Sequence, residues 1–511
     1  MRSFSRKRLM AANQNPSGIQ RTPHAAGDPA WAEQQHAKGR LTAHERLELL
    51  LDAGTCTPLG MGVTQETRQE TREGAHNSEG VLTAQGEING RPVCVFVKDM
   101  AVRDAAVNEA HARKICRLQE FALESRMPLI GLFDSAGASL EAGMGAVAGY
   151  GAMYRNSAAA SGVIPQVGLV LGGCPGAEAL LPALFDFVFM ANDDSSLFVS
   201  GPDVVQAITH QTVDAVQLGG AEIHASRSGI ADGRTDHDVA AILQLRRFLA
   251  FLPSGNRAGA PTWPCLDDAA RLAPVLDTLL PDAAEGSYDV RELITQVADE
   301  GDFFELQAAY AANIVTGFAR MHGRVVGVVA NQAATLAGVI DSDAARKAAR
   351  FVQFCDAFGI AVVTFVDTPG YLPGVAQEQA GLARHAAKLV FAYAQATVPM
   401  VTVIVRRALG AAGIAMGSRA LGADVVLAWP QARIGLMDAR AALALEGQRG
   451  DAAAEQAYAQ RVLSPEAVQA GGDVHAVIAP RETRQHVLAA LDRLAGKPHK
   501  RALRSHGNIP L

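Results

Sequence analysis

Residues 112–137, ARKICRLQEFALESRMPLIGLFDSAG, decide the fold because the same text occurs twice: residues 345–370 read ARKAARFVQFCDAFGIAVVTFVDTPG and align on them without a gap. Each copy passes from helical apolar spacing into a short run of β-branched and aromatic residues that ends in aspartate, Asp134 or Asp367. The match extends upstream, where NGRPVCVFVKD (89–99) lies on HGRVVGVVANQ (322–332). It also extends downstream, where IPQVGLVLGGCPGAEA (164–179) lies on VPMVTVIVRRALGAAG (398–413) and DFVFMA (186–191) on DVVLAW (424–429). Repetition of this length and order implies two tandem copies of one α/β fold.

Within the first copy, KGRLTAHERLELLLD (38–52) predicts a helix with Leu41, Leu47, Leu50 and Leu51 on one stripe. VLTAQGEINGRPVCVFVKDM (81–100) predicts a hairpin closed by Asn89-Gly90. A helix over NEAHARKICRLQEFALES (108–125) and strands in PLIGLFDSAG, IPQVGLVL, DFVFMA and SSLFVSG complete the alternation. Gln65–Ser78 is polar and reads as a surface excursion. Proline, glycine and small residues gather between Leu252 and Asp289. The expected organisation is therefore a basic arm (1–30), an N-terminal domain (31–265), a linker (266–287) and a C-terminal domain (288–511).

The arm carries Arg2, Arg6, Lys7, Arg8 and Arg21 with no acid before residue 28, the composition of a disordered arm or of a transit peptide. The last sixteen residues, GKPHKRALRSHGNIPL, read as an extended arm or a solvated tail. A chain of 511 residues exceeds one ordinary core, and 49% apolar residues are enough for two domains. The net charge of −6 argues against a surface built for nucleic acid or anionic lipid. Gly162–Phe185 is the most apolar region, but Pro165, Pro175, Glu178 and its glycines exclude a membrane span. The six cysteines form no Cys-x-x-Cys pair and read as reduced thiols of a cytosolic-type compartment; no metal site is expected.

Chemistry is expected at the repeated turn. In Leu171–Ala183 (LGGCPGAEALLPA) and Ala408–Ser418 (ALGAAGIAMGS), a strand ends, a Gly/Ala-rich turn follows and a helix begins. The first N–H groups of a helix have no internal acceptor, and small residues let an oxygen approach them. Gly176 and Ala177 in one copy, and Gly410, Ala411 and Ala412 in the other, are thus candidate oxyanion donors. The alternative is that these glycines only permit close packing of helix on sheet.

The chain resembles the carboxyltransferase (β) subunits of biotin-dependent acyl-CoA carboxylases, closest in pattern to the propionyl-CoA type. The resemblance is carried by KGRLTAHERLELLLD, EAHARKI, SGVIPQ, FVSGPDVV, LGGAEIHASRSGIAD, RRFLAFLPSGNR, NIVTGFARMHGRVVGVVANQ, FVDTPGYLPG, ATVPMVTVIVR, LAWPQA and HGNIPL, and covers nearly everything from residue 38 onward. It implies two crotonase-like domains, a homohexamer, and an active site between the N-domain of one subunit and the C-domain of another. It also implies acyl-CoA as substrate, and biotin held not by this chain but by a partner biotin carboxylase and carboxyl carrier. The Gly176–Ala177 turn would hold the thioester oxygen and the Ala411–Ala412 turn the ureido oxygen of biotin. Carboxybiotin would release CO2, the ureido anion would take the acyl α-proton, and the enolate would attack CO2. No side-chain acid or base is required. The chain has neither a Met-Lys-Met biotinylation site nor a G-x-x-x-x-G-K-[ST] loop, so one component of a larger enzyme is expected, in the cytoplasm or alternatively the mitochondrial matrix.

Departures from the family pattern gather at the turns. Ala177 stands for a glycine and Glu178 for a small residue; Ser139 replaces an arginine; Asp104 and Ala105 replace paired glycines; Asp438 replaces a glycine. Ile414 occupies the place of an aspartate associated with acyl choice, and there favours an apolar acyl chain. Glu178 and Ser139 are kept with Ile414 as candidate substrate-binding positions. A carboxylate beside an enolate is repulsive unless it turns to a neighbouring cation or is protonated. His210 and His224 read as structural, and Asp134 and Asp367 as caps of the turns that follow them. Three functions remain open: acyl-CoA carboxyl transfer, a biotin-free crotonase-type decarboxylase or hydrolase using Glu178, and a non-catalytic partner in a carboxylase assembly.

Overall fold

The computed structural model describes residues 29–59, 79–191, 193–281, 286–447 and 451–498. The basic arm up to residue 28, the Gln65–Ser78 excursion, residues 282–285 of the linker and the tail beyond residue 498 lie outside the described residues.

Two mainly parallel sheets repeat one another. The first has seven strands in the order 57–58, 81–88, 91–98, 129–133, 166–170, 187–191, 233–235. The second runs 303–306, 314–321, 324–331, 361–368, 400–409, 425–428, 476–477, with 433–435 added beside 400–409. In both, an antiparallel hairpin leads into parallel strands connected by helices. Each hairpin closes through two positive-φ residues, Asn89 (54°) with Gly90 (71°) and His322 (54°) with Gly323 (75°), as a primed two-residue turn requires. The repeated text forms helices Glu109–Ser125 and Ser342–Ala357, capped by Asn108 and Asp341, whose side chains accept from backbone N–H groups in the first turn. The Lys38–Asp52 segment is helical over Ala43–Leu50, with a capping box between Thr42 and Glu45.

Alternation along the strands sends side chains to two faces of each sheet. In the first sheet Val93, Val95, Val97, Ile130, Leu132, Phe187 and Phe189 face a core also filled from the second half, whereas Cys94, Phe96, Leu129, Phe133 and Val188 face an outer core under helices Glu109–Ser125 and Met144–Ala160. The second sheet has its own outer core, with Val315, Val363, Val401 and Val403 packed on Leu293, Ile294 and Leu488. Between the sheets lies one continuous apolar layer. There Phe187 meets Phe354 at 4.5 Å and Phe248 meets Phe318 at 6.1 Å, each pair crossing from one half to the other. Two sheets of one fold are thus joined by a shared layer in addition to the outer core that each owns, because a parallel sheet has two apolar faces to cover. The described cysteines are all free thiols, four of them buried. No helix among the described residues is long and apolar enough to cross a membrane.

Candidate functional site

The strand Gln166–Val170 delivers the chain into Gly173–Pro175, a three-residue strand paired with Ser196–Phe198, and then into the turn. Gly176 adopts φ 66°, a left-handed value that favours glycine, and a Cβ built there meets no atom within 4 Å. Gly176–Ala179 is a 3₁₀ turn that passes into a single α-turn, Leu180–Ala183. Its counterpart Gly410–Ala415 is also short, and Gly410 again has positive φ (59°). Pro175 precedes the first turn and Pro182 lies within its α-turn, which ends at Leu184, and the second helix ends at Met416. Short helices carry little macrodipole, so any anion affinity resides in individual N–H groups. Pro175 pairs with Phe198 in the parallel ladder, which engages Gly176 N–H, whereas Ala177 in one copy and Ala411 and Ala412 in the other stand ahead of the first intrahelical donors of their helices.

Gly176 and Ala177 are half-buried; Gly410 is half-buried, Ala411 exposed and Ala412 buried. The Asp134–Ser139 turn lies against the first site: Ser135 N–H donates to Gly173 O (2.8 Å), and Gly137 packs on Pro175 O. Ser139 sits at the outer end of that turn, its N–H donating to Val107 O. Ile414, on the helix after the second turn, is 51% exposed. The two turns belong to different sheets, so each half contributes one.

Glu178 turns inward. Its carboxylate is fully buried and accepts from Tyr150 Oη at 2.7 Å. Lys98 Nζ, also fully buried, lies 3.1 Å from Oε1, off the direction of a hydrogen bond, and donates to Oε2 at 3.4 Å. Lys98 Nζ also meets His111 Nε2 at 2.7 Å. Burial, and then the Lys98 charge, hold the His111 imidazole well below its ordinary pKa; the neutral ring accepts from the ammonium through Nε2. Tyr154 Oη donates to Ala177 O, and burial followed by the Glu178 charge pushes its phenol up to about 12. The Cys174 thiol is pushed up by the same two causes, leaving it protonated and inert. Lys98, His111, Tyr150 and Tyr154 escaped the sequence reading, although a lysine ending the apolar run VCVFVK was a signal for a buried counter-charge.

Asp134 and Asp367 do not cap the turns after them. Asp134 takes Arg46 at 3.0 Å, and Asp367 takes Nε of both Arg406 and Arg407 at 2.9 Å, because arginines on neighbouring segments supply stronger partners than backbone N–H groups. Asp438 caps the helix Ala439–Leu445. His224 is held between Leu197 O and Ser228 Oγ, both at 2.7 Å, and burial lowers its pKa; His210 ends the helix Pro202–Thr209 with φ 60°. No group of three or more His, Cys, Asp or Glu side chains among the described residues is placed to hold a metal ion.

Residues 34–509 match the family model of the carboxyl transferase domain. The propionyl-CoA carboxylase beta chain of Roseobacter denitrificans is 45% identical over 94% of this chain and 95% of its own length. The methylmalonyl-CoA decarboxylase subunit alpha of Propionigenium modestum is 41% identical over 94% of this chain and 95% of its own. Among solved structures, transcarboxylase 12S, described as a hexamer and holding methylmalonyl-coenzyme A and methylmalonic acid, superposes with a TM-score of 0.92 at 37% identity over the whole of both chains.

Proposed function

The chain belongs to the carboxyl transferase family, and from that premise we propose that it is the carboxyltransferase subunit of a biotin-dependent acyl-CoA carboxylase, moving a carboxyl group from carboxybiotin to the α-carbon of an acyl-CoA. The observation that carries this reading is the pair of turns, one per half, each opened by a glycine of positive φ and leading into a helix whose first N–H groups precede its first internal bond. Ala177 would donate to the thioester oxygen as the α-carbon becomes an enolate, and Gly176, its own N–H held in the pairing with Phe198, would leave room for that oxygen. Gly410, Ala411 and Ala412 would donate to the ureido oxygen. Each preorganised donor set lowers the barrier by roughly 3 kcal/mol.

Biotin, carried by the carrier subunit, would supply the carboxyl group and the base; this chain supplies backbone donors and a site without a side-chain base. The buried Glu178 carboxylate, already engaged by Lys98 and Tyr150, supports that assignment over a Glu178-dependent hydrolase. Its influence on substrate would pass through the turn it anchors. Ile414 and Ser139 would border the acyl-CoA, Ile414 favouring an apolar acyl group. The division into 31–265, 266–287 and 288–511 is supported by the sheet to which each strand belongs. A homohexamer with biotin carboxylase and carrier subunits as partners, in the cytoplasm, completes the reading.

The test is reverse transfer. The purified full chain, mixed with methylmalonyl-CoA or malonyl-CoA and biocytin, is expected to release the decarboxylated acyl-CoA in a biocytin-dependent manner. Absence of transfer across a panel of carboxyacyl-CoAs overturns the proposal.

A further inference from the structure

We propose that the buried Lys98–Glu178 pair is a positioning device for the first turn, bracing from below the backbone that carries the Ala177 donor. The inference rests on the reading of that turn as oxyanion-binding.

Four elements converge under the turn. Lys98 ends the strand Arg91–Lys98, His111 lies on the helix Glu109–Ser125, and Tyr150 and Tyr154 lie on the helix Met144–Ala160. Glu178 sits inside the 3₁₀ turn itself. The peptide between Ala177 and Glu178 is held at both ends. Tyr154 Oη binds its carbonyl, and the side chain that leaves its far end is anchored on Lys98 and Tyr150. A planar peptide fixed at two points cannot rotate, so the orientation of the neighbouring N–H groups is fixed with it. The strand pairing before the turn holds its entry, and the anchor holds the Glu178 end, beyond the left-handed Gly176.

The internal repeat supplies the control. Lys98 corresponds to Asn331 and Glu178 to Ala412, both of them buried, and His111 corresponds to Ala344. The cation and the carboxylate are therefore both present in the first copy and both absent from the second. The second turn is secured differently, through Asn331 Oδ1 accepting from Asp367 N–H and Asp367 gripping Arg407 two residues before Leu409. A single loss in the first copy leaves one buried charge without its partner, whereas loss of both reproduces a constellation that the chain already folds around.

The experiment compares Glu178→Ala, Lys98→Asn and the double variant K98N/E178A in the full chain. Each is followed by thermal melting, by amide hydrogen exchange of residues 174–180 and by biocytin-dependent reverse transfer. The single variants are expected to melt well below the parent. The double variant is expected to regain most of the lost Tm yet keep kcat about tenfold below the parent with KM for acyl-CoA within about threefold, because transition-state donors are displaced while binding contacts remain. Amide exchange at Ala177–Ala179 should accelerate at least tenfold in it. Recovery of kcat together with Tm, or unchanged exchange at the turn, overturns the positioning role and leaves the pair purely structural. If the parent chain itself shows no transfer, the carboxyltransferase reading fails, and the exchange measurement alone decides whether the pair braces the turn.

Discussion

Burial decides the protonation state of His111, and with it a pH response that can be measured. Unfolded histidine takes a proton near pH 6.5, while His111 in the folded chain, desolvated and beside Lys98, takes one only well below that. Between those values the unfolded state binds more protons, so stability rises with pH. The contribution is complete above about pH 6.5 and is lost as pH falls, by about 1.4 kcal/mol per unit. His111→Gln should flatten the fall of unfolding free energy between about pH 6.5 and 5, measured by denaturant titration. A second residue-scale expectation concerns the left-handed turn that each copy places before its long helix. Arg103, Asp104 and Ala105 have φ of 50°, 53° and 53°, and Leu336, Ala337 and Gly338 have 49°, 52° and 77°. The first copy accepts alanine at the third position, but a Cβ on Gly338 would lie 2.3 Å from Asp367 O. Gly338→Ala should therefore cost about 2 kcal/mol or more, read as a lower Tm.

The two turns are the elements on which the reaction depends, and they are stiff for different reasons. Gly176 has positive φ but open space where a side chain would grow. Gly176→Ala should consequently fold, at about 1 kcal/mol for the left-handed alanine. Its methyl group would stand where a ligand oxygen approaches, and kcat should fall by about 10–100-fold, seen in steady-state reverse transfer. The corresponding reading of the scaffold came easily from sequence. Helix caps at Asn108 and Asp341, the Asn89-Gly90 hairpin and the strand pattern follow from local chemistry that any chain segment carries with it. The sequence placed the start of the helix after each turn and said nothing of where it ends, at Leu184 in one copy and Met416 in the other.

At the scale of the whole molecule, the aromatic layer between the sheets makes the halves interdependent. Phe187, Phe248, Phe318 and Phe354 are buried and contact one another across the boundary between halves. Phe354→Ala should destabilise by about 3–5 kcal/mol. Calorimetry should show both halves still melting in one transition; two resolved transitions in the parent chain would sink this view of a common layer.

The sequence alone determined that one α/β unit is written twice, where its hairpins and helices lie, and which two turns repeat, because periodicity, caps and turn residues act over neighbours in the chain. It also exposed Glu178 as a charge out of place. Only the tertiary structure decided what that charge does. Its partners Lys98, Tyr150 and the neighbouring His111 stand 28 to 80 residues away, on elements brought together by the sheet and its helices. The same holds for Asp134 and Asp367, whose arginines arrive from 88 and about 40 residues distant. Low dielectric makes such pairings strong and their absence costly, so the interior selects partners that spacing along the chain does not reveal.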